Sequence, residues 1–235
     1  MLDLSKLTIY ADRIFVFEEA LDNPDYAIHM HKTMDDMLMD SQGEAFHKLV
    51  PWQTSDGTPH VYGTKRISSR EHLENTKNEE VKAFFSKVDA LFDEAGRYYF
   101  EQLGMDYQDG KLMTDYAIFH YYTGQEMGPH VDDDYQPQVD PICTGIIYLN
   151  NDRVGGDLWF PEQDVLLQVK PGTLVIFPCV KPFYHASTKI VEGEKWHIGT
   201  GWKRHRTIEE IDALGPNYGV GEREGYVPKN EQPRY

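Results

Sequence analysis

The chain is poor in cysteine, in basic residues and in long apolar runs, and each shortage removes a class of protein. Only Cys143 and Cys179 occur in 235 residues. Both lie in apolar, strand-like runs without metal-type spacing, so two buried thiols are expected rather than a disulfide scaffold or a zinc knuckle. No apolar run approaches the ~20 residues that cross a bilayer. The opening segment lacks a basic stretch followed by an apolar one, so no signal peptide is read, and the expected setting is cytoplasmic and not membrane-bound. There is no Asn-x-Ser/Thr acceptor. Lys and Arg number 23 against 39 Asp and Glu, a net charge of −16. Nucleic-acid affinity rests largely on neutralising phosphates, so a nucleic-acid partner is not expected. The basic clusters, Arg66 to Arg70 and Lys203 to Arg206, read as solvated faces. Gly215, Gly219, Gly221 and Gly225 do not sit between a strand and a helix, so they form no phosphate loop.

What remains is enough apolar residue, 40%, for a packed core. Residues 8–17 read as a strand, and Asp22-Asn23-Pro24 as a helix start. His29 and His31 lie in that helix two residues apart, on different faces. Residues 41–78 are polar, with two short strands near 60–67. From Glu79 to Leu103, Val81, Phe84, Phe85, Val88, Leu91, Phe92, Ala95 and Tyr98 recur at intervals of three and four. That is an amphipathic helix closed by Gly104. From residue 112 the pattern shortens to β runs: 116–121, 143–149, 158–160, 165–169, 173–177 and 195–202. Asn150 to Gly156 reads as a turn-rich hairpin, and Pro171-Gly172 as a tight turn. Many short strands with regular turns predict an α+β protein with a mainly β core, a double-stranded jelly roll whose N-terminal helices cover one sheet. We expect a single domain: a helical layer over about 18–110, the jelly roll over about 112–206, and an extension over 207–235 with a short helix from Ile208 to Leu214.

The chemistry concentrates in His130-Val131-Asp132 and His185. In an extended segment, residues two apart point the same way, so His130 and Asp132 can reach one ion, with His185 supplied by another strand end. Two imidazoles and one carboxylate leave positions open and suit iron(II), manganese or zinc, with the open facial arrangement favouring iron(II). Asp133 and Asp134 lack the pattern of a calcium loop. Lys195 stands in an apolar strand ending Trp196-x-Ile198, where burial of its ammonium would create a site for a carboxylate.

The full string is far more specific than His-x-Asp alone. It runs Tyr121-x2-Gly124-x5-His130-x-Asp132, Thr144-x3-Tyr148-Leu149-Asn150, Gly155-Gly156-Asp157-x2-Phe160-Pro161, Pro171-Gly172-x4-Phe177, His185-Ala186 and Val191-x-Gly193-x-Lys195-Trp196. Over residues 114–203 it resembles the prolyl 4-hydroxylase branch of the 2-oxoglutarate- and iron(II)-dependent dioxygenases. The resemblance implies that His130, Asp132 and His185 bind Fe(II). It implies that Lys195 pairs with the distal carboxylate of 2-oxoglutarate, that Tyr121 hydrogen-bonds the same group, and that Thr144 lines the co-substrate pocket. It further implies O2 as oxidant, ascorbate as reductant, and hydroxylation of an unactivated carbon with succinate and CO2 as co-products. A prolyl residue of a peptide or protein partner is the implied substrate. A free amino acid or another residue type is the alternative, and a non-catalytic metal-binding jelly roll the rival of a different class. Relatives carry a tryptophan six residues after the lysine, whereas Trp202 follows Lys195 by seven. Either a bulge restores the phase or Trp202 faces elsewhere; Trp202 and Arg204 share parity and are the candidate substrate-facing residues, with Arg204 able to bind a free carboxylate.

Overall fold

The computed structural model describes residues 2–33, 50–51, 65–67, 78–107, 112–113, 117–132 and 137–214. Two antiparallel sheets carry the architecture. The larger contains β1 (Leu7–Tyr10), β2 (Ile14–Phe17), β3 (Val50–Pro51), β4 (Lys65–Ile67), β5 (Leu112–Met113), β6 (Ala117–Tyr122), β8 (Val139–Tyr148), β12 (Leu174–Pro178) and β15 (Glu194–His205). Its order is β1-β2-β12-β8-β15-β6-β4-β3, with β5 pairing β15. The smaller sheet, ordered β11-β10-β13-β7, contains β7 (Met127–His130), β10 (Leu158–Phe160), β11 (Val165–Leu167) and β13 (His185–Ser187). A ribbon of β9 (Val154–Gly155) and β14 (Ile190–Glu192) completes the strands. The helices are α1 (Tyr26–Thr33), α2 (Glu79–Gln102) and α3 (Ile208–Leu214). This is the expected jelly roll with helices on one sheet. The apolar spacing that continues from α1 through Met34, Met37 and Leu38 lies outside the described residues, as does the chain after 214.

Alternation along the strands sorts the core into two layers. Phe15 and Phe17 of β2, Leu174 and Ile176 of β12, Cys143 and Ile147 of β8, and Trp196, Ile198 and Trp202 of β15 pack with the buried stripe of α2. The intervening Ile14, Val16, Val175, Phe177 and Tyr148 face the small sheet, where they meet Leu158, Phe160 and Leu167. Asn78 caps α2 by accepting from the backbone N–H groups of Glu80 and Val81. Both cysteines are buried and free, as expected. Among the described residues, no helix is long and apolar enough to cross a membrane.

Residues 8–17 form the antiparallel hairpin of β1 and β2 rather than one strand, and two further expectations need correction. Asn150 to Gly156 does not close a hairpin: β8 pairs β12 and β15, whereas β10 pairs β11 and β13. The segment therefore carries the chain from one sheet to the other. Pro171-Gly172 makes the return crossing. Gly172 has φ +80, and a Cβ there would stand 2.5 Å from the Leu21 carbonyl oxygen, so only glycine fits.

Trp202 is the second. Seven residues from Lys195 is an odd step, which puts its side chain on the opposite face of β15, towards α2. A register shift does occur, between Trp202 and Lys203, but it comes after the tryptophan and leaves its phase unchanged. The indole is fully buried between Gly96 of α2 and Gly145 of β8, where an added Cβ would approach it to 2.7 Å from either side. With backbone on both sides the ring has nowhere to retreat. Gly145→Ala should therefore destabilise the fold by about 1–3 kcal/mol, the usual cost of overpacking. Urea unfolding of Gly145→Ala and Trp202→Phe singly and together tests this: a smaller penalty for Gly145→Ala in the Trp202→Phe background is expected, and additive penalties would mean that the indole is not the obstacle.

Candidate metal and co-substrate site

Between the two sheets lies a cavity of about 240 Å³. The residues that line it include His130, Asp132, His185, Thr144, Lys195 and Tyr121. β7 and β13 pair with His130 directly opposite His185, so a backbone ladder sets two residues distant in sequence side by side. Neither strand is conspicuous in the sequence: β7 reads Met-Gly-Pro-His and β13 reads His-Ala-Ser, poor strand formers held by their neighbours.

One nitrogen of each His and one oxygen of Asp132 lie within 4.8 Å of one another. The Nε2 atoms of His130 and His185 are each 3.4 Å from a different carboxylate oxygen of Asp132. The other ring nitrogens are tied to backbone. His130 Nδ1 lies 2.8 Å from the Gly128 carbonyl oxygen and His185 Nδ1 lies 3.4 Å from that of Phe183. With Nδ1–H donating to these carbonyls, both Nε2 lone pairs face the gap beside Asp132, the tautomer a metal ligand needs. His185 is further held by Phe177, ring centroids 4.6 Å apart. Asp132 donates its backbone N–H to the Cys179 carbonyl at 2.9 Å and accepts from the Thr144 hydroxyl. Burial pushes the Asp132 pKa up, but the two imidazoles outweigh it and hold the carboxyl well below its usual range.

Lys195 is 3% exposed. Its ammonium donates to the Ser187 hydroxyl at 2.8 Å and lies 5.3 and 5.4 Å from the ring centroids of Tyr121 and Tyr148. Among the described residues it forms no ion pair with a carboxylate. Burial, followed by the nearby Arg153 guanidinium, lowers its pKa to about 7. Tyr121 is its cross-strand neighbour on β6. A buried cation facing a cavity with no carboxylate in direct contact is a site for an anion.

Arg204 lies elsewhere. Its Nε is 2.7 Å from Asp140 Oδ2 and its second guanidinium nitrogen 2.9 Å from Glu210 Oε1. The guanidinium is committed to these partners at the end of β15. Trp202 borders the cavity but packs its indole towards α2, and Arg204 is held at the end of β15.

The sequence reading passed over His197, Ser187 and Arg153. His197 had a signal: it shares the parity of Lys195 on β15. Ser187 and Arg153 had none, since their nearness to Lys195 arises only from the pairing of β13 with β10 and β7 and from the crossing between the sheets.

A jelly roll that holds two imidazoles, one carboxylate and a buried, uncompensated lysine in one cavity has the layout of a mononuclear metalloenzyme with an anionic co-substrate. Residues 116–204 match the family model of the 2OG-Fe(II) oxygenase superfamily. No curated protein is significantly similar to it in sequence. Among solved structures it resembles a viral collagen prolyl hydroxylase from Paramecium bursaria Chlorella virus-1 in its 2OG complex. Identity is 17%, with 83% of this chain and 97% of that one covered, at a TM-score of 0.54. A Pseudomonas putida prolyl-4-hydroxylase is 19% identical over 87% of this chain and 96% of its own, at 0.52. A Trichoplax adhaerens prolyl hydroxylase, solved with a hypoxia inducible factor peptide fragment, is 15% identical over 87% and 88%, at 0.54. At these identities the likeness is one of fold.

Proposed function

We propose that the protein is a 2-oxoglutarate- and Fe(II)-dependent dioxygenase that hydroxylates an unactivated carbon, with a prolyl residue of a peptide or protein as substrate. The observation that carries the co-substrate half is Lys195, a buried ammonium without a carboxylate partner among the described residues, in the same cavity as the His130, Asp132 and His185 cluster. That donor set fits iron(II): two neutral nitrogens from β7 and β13 and one anionic oxygen from the segment just after β7 leave room for other ligands on the cavity side. Bound there, iron(II) would supply oxidative decarboxylation of the co-substrate coupled to carbon oxidation, with ascorbate as reductant. The chain's own part is positional. Gly128 and Phe183 carbonyls fix the ring tautomers, Thr144 and the Cys179 carbonyl aim the carboxylate, Lys195 and Ser187 fix the far end of the co-substrate, and apolar Phe177 and Leu158 exclude water.

The prolyl half rests on the likeness to the prolyl hydroxylases above and on the sequence string shared with that branch. A protein or peptide partner suits a net charge of −16, which attracts basic segments, and argues against nucleic acid. The extension beyond residue 207 belongs with the jelly roll and the N-terminal helices in a single domain on this reading.

Anaerobic addition of iron(II) and 2-oxoglutarate to metal-free protein is expected to produce a visible charge-transfer band that requires both and is absent in His185→Ala. Iron binding without a band would overturn the co-substrate assignment and favour a metal-binding module. Succinate release measured with proline-containing peptides and with free proline separates the two substrate classes; stimulation by free proline alone would overturn the peptide assignment.

A further inference from the structure

His197 is buried to 6% exposure on the inner face of β15 and lines the same cavity. Its ring is stacked on Phe119, centroids 4.8 Å apart and planes 10° from parallel, with Tyr121 at 5.6 Å. Stacking of this kind fixes the ring plane while leaving the ring-edge nitrogens to find partners. Its Nδ1 is buried and has no hydrogen-bond partner among the described residues. A buried polar atom left unpaired costs stability unless a bound group satisfies it.

Position along the strand says which group that would be. The inner-face order on β15 is Lys195, His197, Gly199, Gly201. Thr144, whose hydroxyl binds Asp132, is registered with Gly201. His197 is therefore nearer to Lys195 than to the level of the metal-ligating cluster, and Gly199, the one inner-face position between, carries no side chain. A molecule reaching from the cluster to Lys195 would pass beside this ring, which lines the same cavity.

We propose that His197 is a further co-substrate-binding residue, its imidazole donating a hydrogen bond to the carboxylate that Lys195 holds. The proposal rests on the reading of Lys195 as the 2-oxoglutarate anchor. Burial, then the Lys195 and Arg153 charges, keeps the His197 pKa well below its ordinary value, so the ring adds a donor without adding a third cation. A hydrogen bond to an ionised group is among the stronger ones.

Three variants and one spectrum test it. By anaerobic calorimetry on the iron(II)-loaded protein, His197→Leu is expected to weaken 2-oxoglutarate binding roughly ten- to a hundredfold, as for loss of a hydrogen bond to a charge. Iron(II) affinity should be unchanged, and His197→Asn, which keeps a donor, should recover most of the loss. In the wild-type protein loaded with diamagnetic zinc, 2-oxoglutarate should shift the His197 ring ¹⁵N resonances. Wild-type affinity in His197→Leu with strong loss in Lys195→Met overturns the His197 assignment alone. Wild-type affinity in both overturns it together with the reading of Lys195. If His197→Leu does not fold, the spectrum decides: ring resonances unmoved by 2-oxoglutarate overturn the assignment.

Discussion

Asp132→Ala should reduce 2-oxoglutarate turnover to background, with no succinate formed above that of a metal-free control. The carboxylate is the sole anionic donor of the cluster among the described residues, and two neutral imidazoles are a poor site for a dication. Losing an outer partner of a metal ligand typically costs ~10–100-fold in metal affinity or activity, and losing the charged ligand itself costs more. Asp132 is also placed by its surroundings: its backbone N–H is anchored at Cys179, Thr144 donates to one oxygen, and both Nε2 atoms stand 3.4 Å away. A neighbouring acid is thus a poor substitute, because none of these restraints would hold it. Asp132→Asn, which preserves shape and removes the charge, should fail likewise and separates charge from packing. Circular dichroism and urea unfolding of both variants verify that the fold persists. Succinate formation near the wild-type rate in a folded Asp132→Ala protein would show that another group holds the metal.

How much of this was legible in the sequence follows from which forces act locally. The α2 stripe was plain because ten of its buried residues obey a single helical period. The longer strands of the large sheet, β6, β8, β12 and β15, were plain because they are largely apolar and bounded by turn residues. β7 and β13 were not, since Gly128, Pro129, His130 and Ser187 have little strand preference and their pairing is a long-range consequence of the jelly roll. Yet these are the strands that bring His130 to His185, so the ligand set was readable only as types and spacing. The misplacing of Trp202 and Arg204 has a different cause. Strand parity was countable from Lys195, but the position of the bulge was not, and a shift after Trp202 rather than before it decides which face the indole takes. Gly96 and Gly145, the two residues that make room for that indole, lie in different elements, and nothing in either local sequence marks them as a pair.

Lys195→Met should produce two opposite effects, one on the co-substrate and one on the fold. Removing a partner from a buried, hydrogen-bonded charge pair typically costs ~3–5 kcal/mol, so 2-oxoglutarate affinity should fall by roughly two to three orders of magnitude. The apoprotein, however, should become more stable, because a methionine does not resist burial. The pH dependence separates the two. The Lys195 pKa lies at about 7 in the folded protein, below its ordinary value of 10.5, because of burial first and the Arg153 charge second, with Asp157 opposing. Between those values the unfolded chain binds a proton that the folded one does not, so this group makes stability rise with pH across about 7 to 10.5. Below about 7 the full cost of the buried ammonium is present. Co-substrate binding runs the other way: a carboxylate needs the ammonium, so affinity should decline as pH rises above about 7. Three of the other groups that face the ammonium leave this window clear. His197 on β15 is held well below its ordinary pKa, Tyr148 on β8 is pushed up by burial, and Ser187 on β13 does not titrate. Thermal melts of the apoprotein and calorimetric affinities, each from pH 6 to about 10, are the measurements, the window being that of a lysine displaced downward by burial. Wild-type stability rising while affinity falls, with both slopes diminished in Lys195→Met, is the expected pattern. An affinity independent of pH, or an apoprotein that Lys195→Met destabilises, would mean that the ammonium is satisfied within the fold and does not wait for a ligand.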